Sequence, residues 1–252
     1  MPFASISVDG PIATLTLTAP ANGIGRPFMD GLRGACEQLT DAIDRVYAVV
    51  VVSDGSDFAV GWDAEALADG FDPFVAPLGA GCDALAALPQ PTVVVLHGMA
   101  HSVGLELALA CDIRLAAEGA TFAMPETAHG MLPLAGSTQR LPRAVGRAQA
   151  LRLLLTGEVI DAAEACRIGL VSRVVPLGEE RAAALAVAQA IAARGPIATR
   201  YAKEAVFRGL DMPLQAGLRA ELDLTVILQT TADRAEGVQA FTERREPRFT
   251  GR

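Results

Sequence analysis

Two short, continuous apolar runs limit the fold of this 252-residue chain more than any other feature. Residues 46–52 (VYAVVVV) and 92–96 (TVVVL) are rich in valine and show no alternation of polar and apolar side chains. Strands that are buried on both faces have this pattern, which is typical of a parallel sheet covered by helices. Apolar residues recur at helical spacing in residues 28–44, 82–88 and 103–110. Alternating strands and helices predict a parallel α/β core.

The two ends of the chain add a hairpin and a helical region. Residues 5–8 and 12–17 alternate on either side of Asp9-Gly10, a pair typical of a tight hairpin turn. The last third of the sequence is helical in pattern, with helices expected at 181–194, 214–230 and 233–245. We therefore divide the chain into a core, residues 1–195, and a helical C-terminal region, residues 196–252, with no long linker between them.

Composition argues against several classes of protein. A net charge of −8 disfavours a general nucleic-acid binder, which needs a basic face. We expect no membrane segment, because no signal-peptide pattern and no apolar run of about 20 residues is present. Neither the cysteines nor the histidines have metal-ligand spacing, so we expect no metal and free thiols in a reducing cytoplasm. These residues are Cys36, Cys82, Cys111 and Cys166, and His97, His101 and His129.

Two glutamates lie in apolar surroundings. Glu106 falls within the apolar helix predicted at 103–110, and Glu126 follows Phe122-Ala123-Met124-Pro125. A carboxylate is costly to bury unless it has a partner or a function. Taken singly, Glu106 could be a helix charge that interacts with the dipole, and Glu126 could be a surface loop residue. Each explanation is plausible for one glutamate alone, but it is less plausible that both hold in the same chain.

A strand-to-helix turn precedes Glu106. The predicted strand at 92–96 is followed by His97-Gly98-Met99, and the helix begins near Val103. The first amides of a helix have no internal partner and carry partial positive charge, so such a turn can stabilise an oxyanion. The alternative is a turn that binds no ligand.

Four further motifs, together with this turn, resemble the enoyl-CoA hydratase/isomerase (crotonase) family almost from end to end. Residues 58–63 (FAVGWD) resemble the family's F-x-x-G-x-D, and residues 130–141 resemble G-x-x-P-x-x-G-x-T-x-R-L. Residues 156–171 resemble T-G-x-x-I-x-A-x-E-A-x-x-x-G-L-V, and residues 236–249 resemble the closing helix. The resemblance implies a spiral of repeated ββα units with a helical C-terminal extension.

The resemblance also implies an activity, the hydration of a 2-enoyl-CoA thioester to a 3-hydroxyacyl-CoA. Glu106 and Glu126 would flank one water, and the amides of Trp62 and Val103 would form the oxyanion hole for the thioester oxygen. Coenzyme A would enter as part of the substrate, and no other cofactor is expected. Many relatives with other reactions keep only one glutamate, so the presence of both favours hydration.

Further contacts with the acyl-CoA follow from the same resemblance. Gly61 is expected to permit a backbone shape and a close approach that other residues would hinder. Arg244 is the candidate phosphate contact, with a solvated helix end as the alternative. Trp62 and His101 are bulkier than a straight acyl chain requires, and Leu134 and Ser137 replace common glycines. The expected contact residues are Ala59, Gly61, Asp63, Met99, His101, Ser102, Pro125, Leu134 and Arg244.

Three other functions remain open on the sequence. One is an isomerase that moves the double bond with a single glutamate, and another is a hydrolase of the same fold that acts on a CoA thioester or a β-diketone. The third is a non-catalytic scaffold or binding protein, against which the two glutamates argue. We also expect a homotrimer or a dimer of trimers, because the C-terminal region carries more Ala, Leu and Val than one core needs and relatives usually assemble this way.

Overall fold

The chain forms two β-sheets, one large and one small. The computed structural model describes residues 3–21, 23–64, 67 and 78–252. In chain order the strands of these residues are β1 (Ala4–Asp9), β2 (Ile12–Leu17), β3 (Ala48–Ser53), β4 (Thr92–Leu96), β5 (Met99–His101), β6 (Ile113–Ala117), β7 (Thr121–Ala123), β8 (Ile160–Asp161) and β9 (Arg173–Val175). The large sheet has the order β1-β2-β3-β4-β6-β9, and the small sheet has the order β5-β7-β8.

Strand directions agree with the sequence pattern. β1 and β2 form the predicted antiparallel hairpin, with Asp9 opposite Ile12 at its closed end. Every other neighbouring pair in the large sheet is parallel. β4 continues into β5 and then a helix, and β6 continues into β7, so the chain steps repeatedly from the large sheet to the small one. The parallel α/β fold with repeated ββα units is confirmed.

Helices cover the sheets and form the C-terminal region. In chain order they are α1 (Arg26–Asp41), α2 (Ala80–Ala86), α3 (Val103–Leu109), α4 (Ser137–Val145), α5 (Arg147–Thr156), α6 (Ala162–Arg167), α7 (Glu180–Ala192), α8 (Pro196–Leu210), α9 (Leu214–Leu228) and α10 (Ala232–Glu243). A 3₁₀ helix spans Glu126–His129. Short helical pieces and a mobile flap are predicted for residues 62–81, but positions 65, 66 and 68–77 lie outside the described residues.

The central strands β3 and β4 of the large sheet are buried on both faces. In β3, Val49 and Val51 belong to the main apolar core beneath α1, α2 and α3, whereas Val50 and Val52 belong to a second core. This second core includes Ala184 and Ala188 of α7, which covers the opposite face of the sheet. The unbroken valine run therefore reflects a strand that has no solvent-facing side.

The C-terminal helices are joined to the core through a buried ion pair. Lys203 of α8 lies 2.8 Å from the carboxylate of Asp112, and it donates a hydrogen bond to the Gln90 carbonyl at 3.1 Å. By contrast, α9 has no buried residue, and Leu214 and Leu222 on it are more than half exposed. In the part of the chain that the structure describes, no single helix has the length and apolar character of a membrane span. Only α7 and α8 taken together reach that length and apolar character, and they are bent by 105° relative to each other.

Candidate active site

Residues 58–59 lie beside the β5 strand and bring two of the motifs together. The Phe58 amide donates to the His97 carbonyl at 3.1 Å, and the Ala59 amide donates to the Met99 carbonyl at 3.1 Å. The Ala59 carbonyl in turn accepts from the His101 amide at 3.0 Å. The Ala59 amide is thus used within the fold, whereas its carbonyl accepts one hydrogen bond and keeps a second lone pair for the predicted substrate contact.

Gly104 is required by the close approach of these two segments. A Cβ atom at this position would lie 2.3 Å from the Ala59 carbonyl oxygen, a distance that no side chain tolerates. The glycine therefore lets the first turn of α3 pack directly against the 58–63 segment. The sequence motif places Gly104 two residues before Glu106, but this steric reason becomes visible only in the fold.

A second glycine supports Trp62. Gly23 has φ of +105°, and a Cβ there would lie 2.7 Å from the Trp62 carbonyl and from the Asp63 amide nitrogen. The neighbouring Ile24 pairs with this segment, accepting from the Asp63 amide at 2.9 Å and donating to the Gly61 carbonyl at 2.9 Å. Sequence analysis did not identify Gly23, because nothing in its local sequence shows that residues 61–63 come to lie against it.

The described residues do not explain a glycine at position 61. Gly61 does not have a left-handed φ, and a Cβ there would meet no described atom within 4 Å. Among the described residues, the close backbone approaches are made at Gly23 and Gly104, on either side of the 58–63 segment, and the contact of Gly61 with the substrate stays a prediction. Gly61 contributes its carbonyl to the bridge with Ile24.

The amides of Trp62 and Val103 are the two donors predicted for the oxyanion hole. Within the described residues, neither amide donates a hydrogen bond to a backbone carbonyl. Val103 is the first residue of α3, and the unusual backbone conformation falls on Ser102, with φ of +52° and ψ of −125°. The Ser102 amide is held by the Ala123 carbonyl at 2.9 Å. Valine is therefore compatible with the turn, since the conformation that favours glycine lies one residue earlier.

Glu106 is completely buried on α3. Its Oε1 accepts hydrogen bonds from the amides of Ala135, at 2.8 Å, and Ser137, at 3.2 Å. Its Oε2 is buried and has no hydrogen-bond partner among the described residues. The pKa of Glu106 is raised to about 7, chiefly by burial and to a smaller extent by the charge of Glu126, while the hydrogen bonds from Ala135 and Ser137 act in the opposite direction. Glu106 is thus a fixed carboxyl group with one oxygen left for chemistry.

Glu126 is the second buried carboxyl group. It begins the 3₁₀ helix after Pro125 and is only 4% exposed, so it is not a surface loop residue. Within the described structure, neither of its carboxylate oxygens has a hydrogen-bond partner. The helix that carries it is fixed by the Thr127 hydroxyl, which donates to the Leu154 carbonyl at 2.8 Å. The charge of Glu126 contributes to the raised pKa of Glu106, so the two carboxyl groups lie within electrostatic range of each other.

The remaining predicted contact residues differ in how near they lie to the two glutamates. His101 on β5 is half-buried, with Nε2 3.0 Å from the Thr121 hydroxyl, and burial lowers its pKa while the charge of Asp57 opposes this. Ser102 and Pro125 adjoin the two glutamate-bearing helices, and Leu134 precedes the Ala135 amide that binds Glu106.

Two further features concern the ends of the predicted ligand. Arg244 is exposed at the end of α10, and its amide bonds to the Phe241 carbonyl of the same helix, so no contact described by the structure joins it to the glutamates. Trp62 packs against the main core, and its buried indole Nε1 has no hydrogen-bond partner among the described residues. Across the described ranges, no three His, Cys, Asp or Glu side chains are grouped to hold a metal ion.

These groups combine hydrogen-bond acceptors and donors in one region of the protein. Three of the four carboxylate oxygens of Glu106 and Glu126 have no partner among the described residues. The adjoining amides of Trp62 and Val103 are donors without a carbonyl partner there. Buried polar groups are normally paired, and exceptions concentrate at functional sites. The arrangement can exchange protons at the carboxyl groups and stabilise negative charge on a ligand oxygen at the amides.

Comparison with known proteins identifies the family. Residues 8–252 match the family model for enoyl-CoA hydratase/isomerase. The chain is 40% identical over 248 residues to the probable enoyl-CoA hydratase echA8 of Mycobacterium tuberculosis, covering 97% of this chain and 96% of that protein. It is 38% identical over 251 residues to a probable enoyl-CoA hydratase of Rhizobium meliloti, covering 98% and 97%.

Solved structures agree with the sequence relatives. The crystal structure of an enoyl-CoA hydratase from Bacillus anthracis superimposes with a TM-score of 0.92 at 33% identity, covering 99% of this chain and 100% of that one. The structure of Pseudomonas aeruginosa DspI gives a TM-score of 0.92 at 37% identity, covering 99% and 97%. With matches in sequence and fold over nearly its whole length, the chain belongs to the enoyl-CoA hydratase/isomerase family and has the crotonase fold.

Proposed function

We propose that this protein hydrates a 2-enoyl-CoA thioester to a 3-hydroxyacyl-CoA. The water oxygen forms a bond to the β-carbon, the carbon–carbon double bond becomes single, and a proton is delivered to the α-carbon. The observation that carries the proposal is the pair Glu106 and Glu126, both buried, with three of their four oxygens unpartnered among the described residues. A reaction that needs one carboxyl group would not require a second at this desolvation cost.

The oxyanion is assigned to the amides of Trp62 and Val103. As water adds, negative charge develops on the thioester oxygen, and two fixed N–H donors stabilise it more than they stabilise the neutral substrate. Gly23 and Gly104 support this assignment, because the close packing that they permit holds the segments carrying the two amides. Rigid donors are effective because they need no reorganisation during the reaction.

Glu106 is suited to proton transfer near neutral pH. With a pKa raised to about 7 by burial, it has comparable populations of its acid and carboxylate forms, as an efficient general acid–base group requires. Its Oε1 is held by the amides of Ala135 and Ser137, so Oε2 is the oxygen assigned to exchange a proton. Glu126 would share the water from the facing 3₁₀ helix.

The other assignments from sequence remain predictions. Coenzyme A is the carrier of the acyl group and no other cofactor is proposed, with Arg244 as the candidate phosphate contact. We propose a homotrimer or a dimer of trimers, supported by the exposed apolar side chains of α9. A cytoplasmic location likewise stays a prediction.

The test is an absorbance assay on crotonyl-CoA, which follows the loss of the conjugated enoyl thioester. The parent protein should consume it, and Glu126→Gln should lower kcat/KM by about 10²-fold or more with native-like circular dichroism. Glu118→Gln, which alters an exposed carboxylate beyond β6, is the matched control and should keep the parent rate. Full hydratase activity in Glu126→Gln would contradict the two-carboxyl mechanism, and double-bond migration without hydration would favour the isomerase.

A further inference from the structure

Ser137 is a buried polar residue in direct contact with Glu106. It is the first residue of α4 and is completely buried, and its amide donates to Glu106 Oε1 at 3.2 Å. Its side-chain hydroxyl is also buried, and it makes no hydrogen bond within the described structure. A buried hydroxyl without a partner costs stability. The side chain therefore has no evident structural role.

The hydroxyl lies close enough to the Glu106 carboxyl to influence it. Its proximity lowers the pKa of Glu106, against the larger opposite effect of burial. Glu106 Oε2 is likewise buried without a partner among the described residues, so two residues joined by the Ser137 amide hydrogen bond each keep an unpaired buried group, a hydroxyl donor and a carboxylate acceptor. Rotation about the Cβ–Oγ bond of serine turns the O–H and rotation about the Cα–Cβ bond moves the oxygen, so the hydroxyl is an adaptable donor.

Other charged and titratable groups around Glu106 do not replace this donor. Glu126 faces it from the 3₁₀ helix and disfavours its ionisation. Cys82 faces it from α2, but burial raises the pKa of that thiol well above its usual range, so the thiol stays neutral. Arg140 of α4 is occupied by the Ala135 carbonyl at 2.6 Å and by Asp83 at 2.8 Å.

We propose that Ser137 is a positioning residue for Glu106. The Ser137 hydroxyl turns to donate a hydrogen bond to the Glu106 carboxylate when Glu106 is ionised. The proposal rests on the acid–base role of Glu106 proposed above. When Glu106 takes up a proton the hydroxyl is released, so Ser137 follows the proton cycle without contacting the substrate. It holds the ionised carboxylate in the orientation that the Ala135 and Ser137 amides begin to define.

The direct test is a titration of Glu106 without substrate. Protein labelled with ¹³C at the glutamate side-chain carboxyl carbon is followed by NMR, and the signal missing in Glu106→Gln identifies the residue. Ser137→Ala should raise the pKa of Glu106 by about one unit, since a hydrogen bond to a charged group favours the charged form. Ser137→Thr, which keeps a hydroxyl, should restore most of the parent value.

Activity provides the second measurement. The limb of the parent kcat/KM–pH profile on crotonyl-CoA that coincides with the Glu106 pKa measured by NMR should move upward by the same amount in Ser137→Ala. Thr138→Val removes the neighbouring hydroxyl, which pairs with Gln139 at the surface, and should shift neither measurement. If Ser137→Ala does not fold, Ser137→Gly removes the same hydroxyl and serves in its place.

The outcomes separate this proposal from the proposed function. An unchanged Glu106 titration in a folded Ser137→Ala or Ser137→Gly variant overturns the role of Ser137, and so does an equal shift in Thr138→Val. If the parent protein does not hydrate crotonyl-CoA, the proposed function is in question, and the NMR titration alone decides whether Ser137 governs the ionisation of Glu106.

Discussion

Replacing Glu106 by glutamine should make the protein more stable at alkaline pH while removing its activity. Burial raises the pKa of Glu106 from 4.5 to about 7, so between these values the folded protein holds a proton that the unfolded chain releases. Stability from this group is therefore fully present below pH 4.5, falls as pH rises, and is lost above pH 7. At about 1.4 kcal/mol for each pKa unit, the ionised side chain costs roughly 3 kcal/mol above pH 7.

The variant should show this cost through its pH dependence. Glutamine can accept the same hydrogen bonds from Ala135 and Ser137 through its amide oxygen, and it does not ionise. Relative to the parent, the free energy of unfolding of Glu106→Gln should therefore increase by about 1.4 kcal/mol between pH 6.0 and pH 8.5. Packing effects of the substitution are present at both pH values, so they cancel in this difference.

Urea unfolding followed by circular dichroism, at one protein concentration and both pH values, measures the effect. Glu118→Gln is the control, because it removes an exposed carboxylate and should give no comparable increase. A stability difference between Glu106→Gln and the parent that does not change with pH would refute the reasoning, since it would mean that Glu106 is not held in its neutral form by burial.

Three further predictions concern the oxyanion segments and the assembly. Gly104→Ala should lower kcat/KM by about 10²-fold, because its Cβ would displace Ala59; the control Gly34→Ala, in open space on α1, should not. Trp62→Ala keeps the amide but removes the ring, so it should change the preference between crotonyl and aromatic enoyl-CoAs, with stacking worth about 0.5–1.5 kcal/mol; an equal loss on both would exclude the indole from the acyl pocket. Sedimentation should show a trimer or a hexamer, and a lone 26.2 kDa species would contradict this.

Long apolar patterns predicted the main elements because they report burial directly. The valine run predicted β3, and the alternation around Asp9-Gly10 predicted the hairpin. The short strands β5 and β7 were not predicted, because three residues are too few to show a period of two. β5 is nevertheless the strand along which residues 58–59 lie, so the least visible element is among those that matter most for the site.

The members of the site could be predicted from sequence, but their contacts could not. Glu106 and Glu126 are conspicuous as carboxylates in apolar segments, whereas the donors to Glu106 lie 29 and 31 residues further along the chain. Likewise, a steric requirement for glycine depends on which backbone approaches it. This is why the steric requirement for glycine at positions 23 and 104 became visible only in the fold.

The unpaired groups of the site have a consistent chemical logic. The amides of Trp62 and Val103 are donors, whereas the free oxygens of Glu106 and Glu126 accept hydrogen bonds when ionised. An enoyl thioester and a water complement this arrangement, because the thioester oxygen is an acceptor and the water brings protons. Each polar group left unpaired at rest costs folding free energy, and its pairing with ligand can return part of that cost on binding. The raised pKa of Glu106 has the same origin. Burial destabilises the carboxylate in the free protein, and for that reason a proton stays available on Glu106 near pH 7.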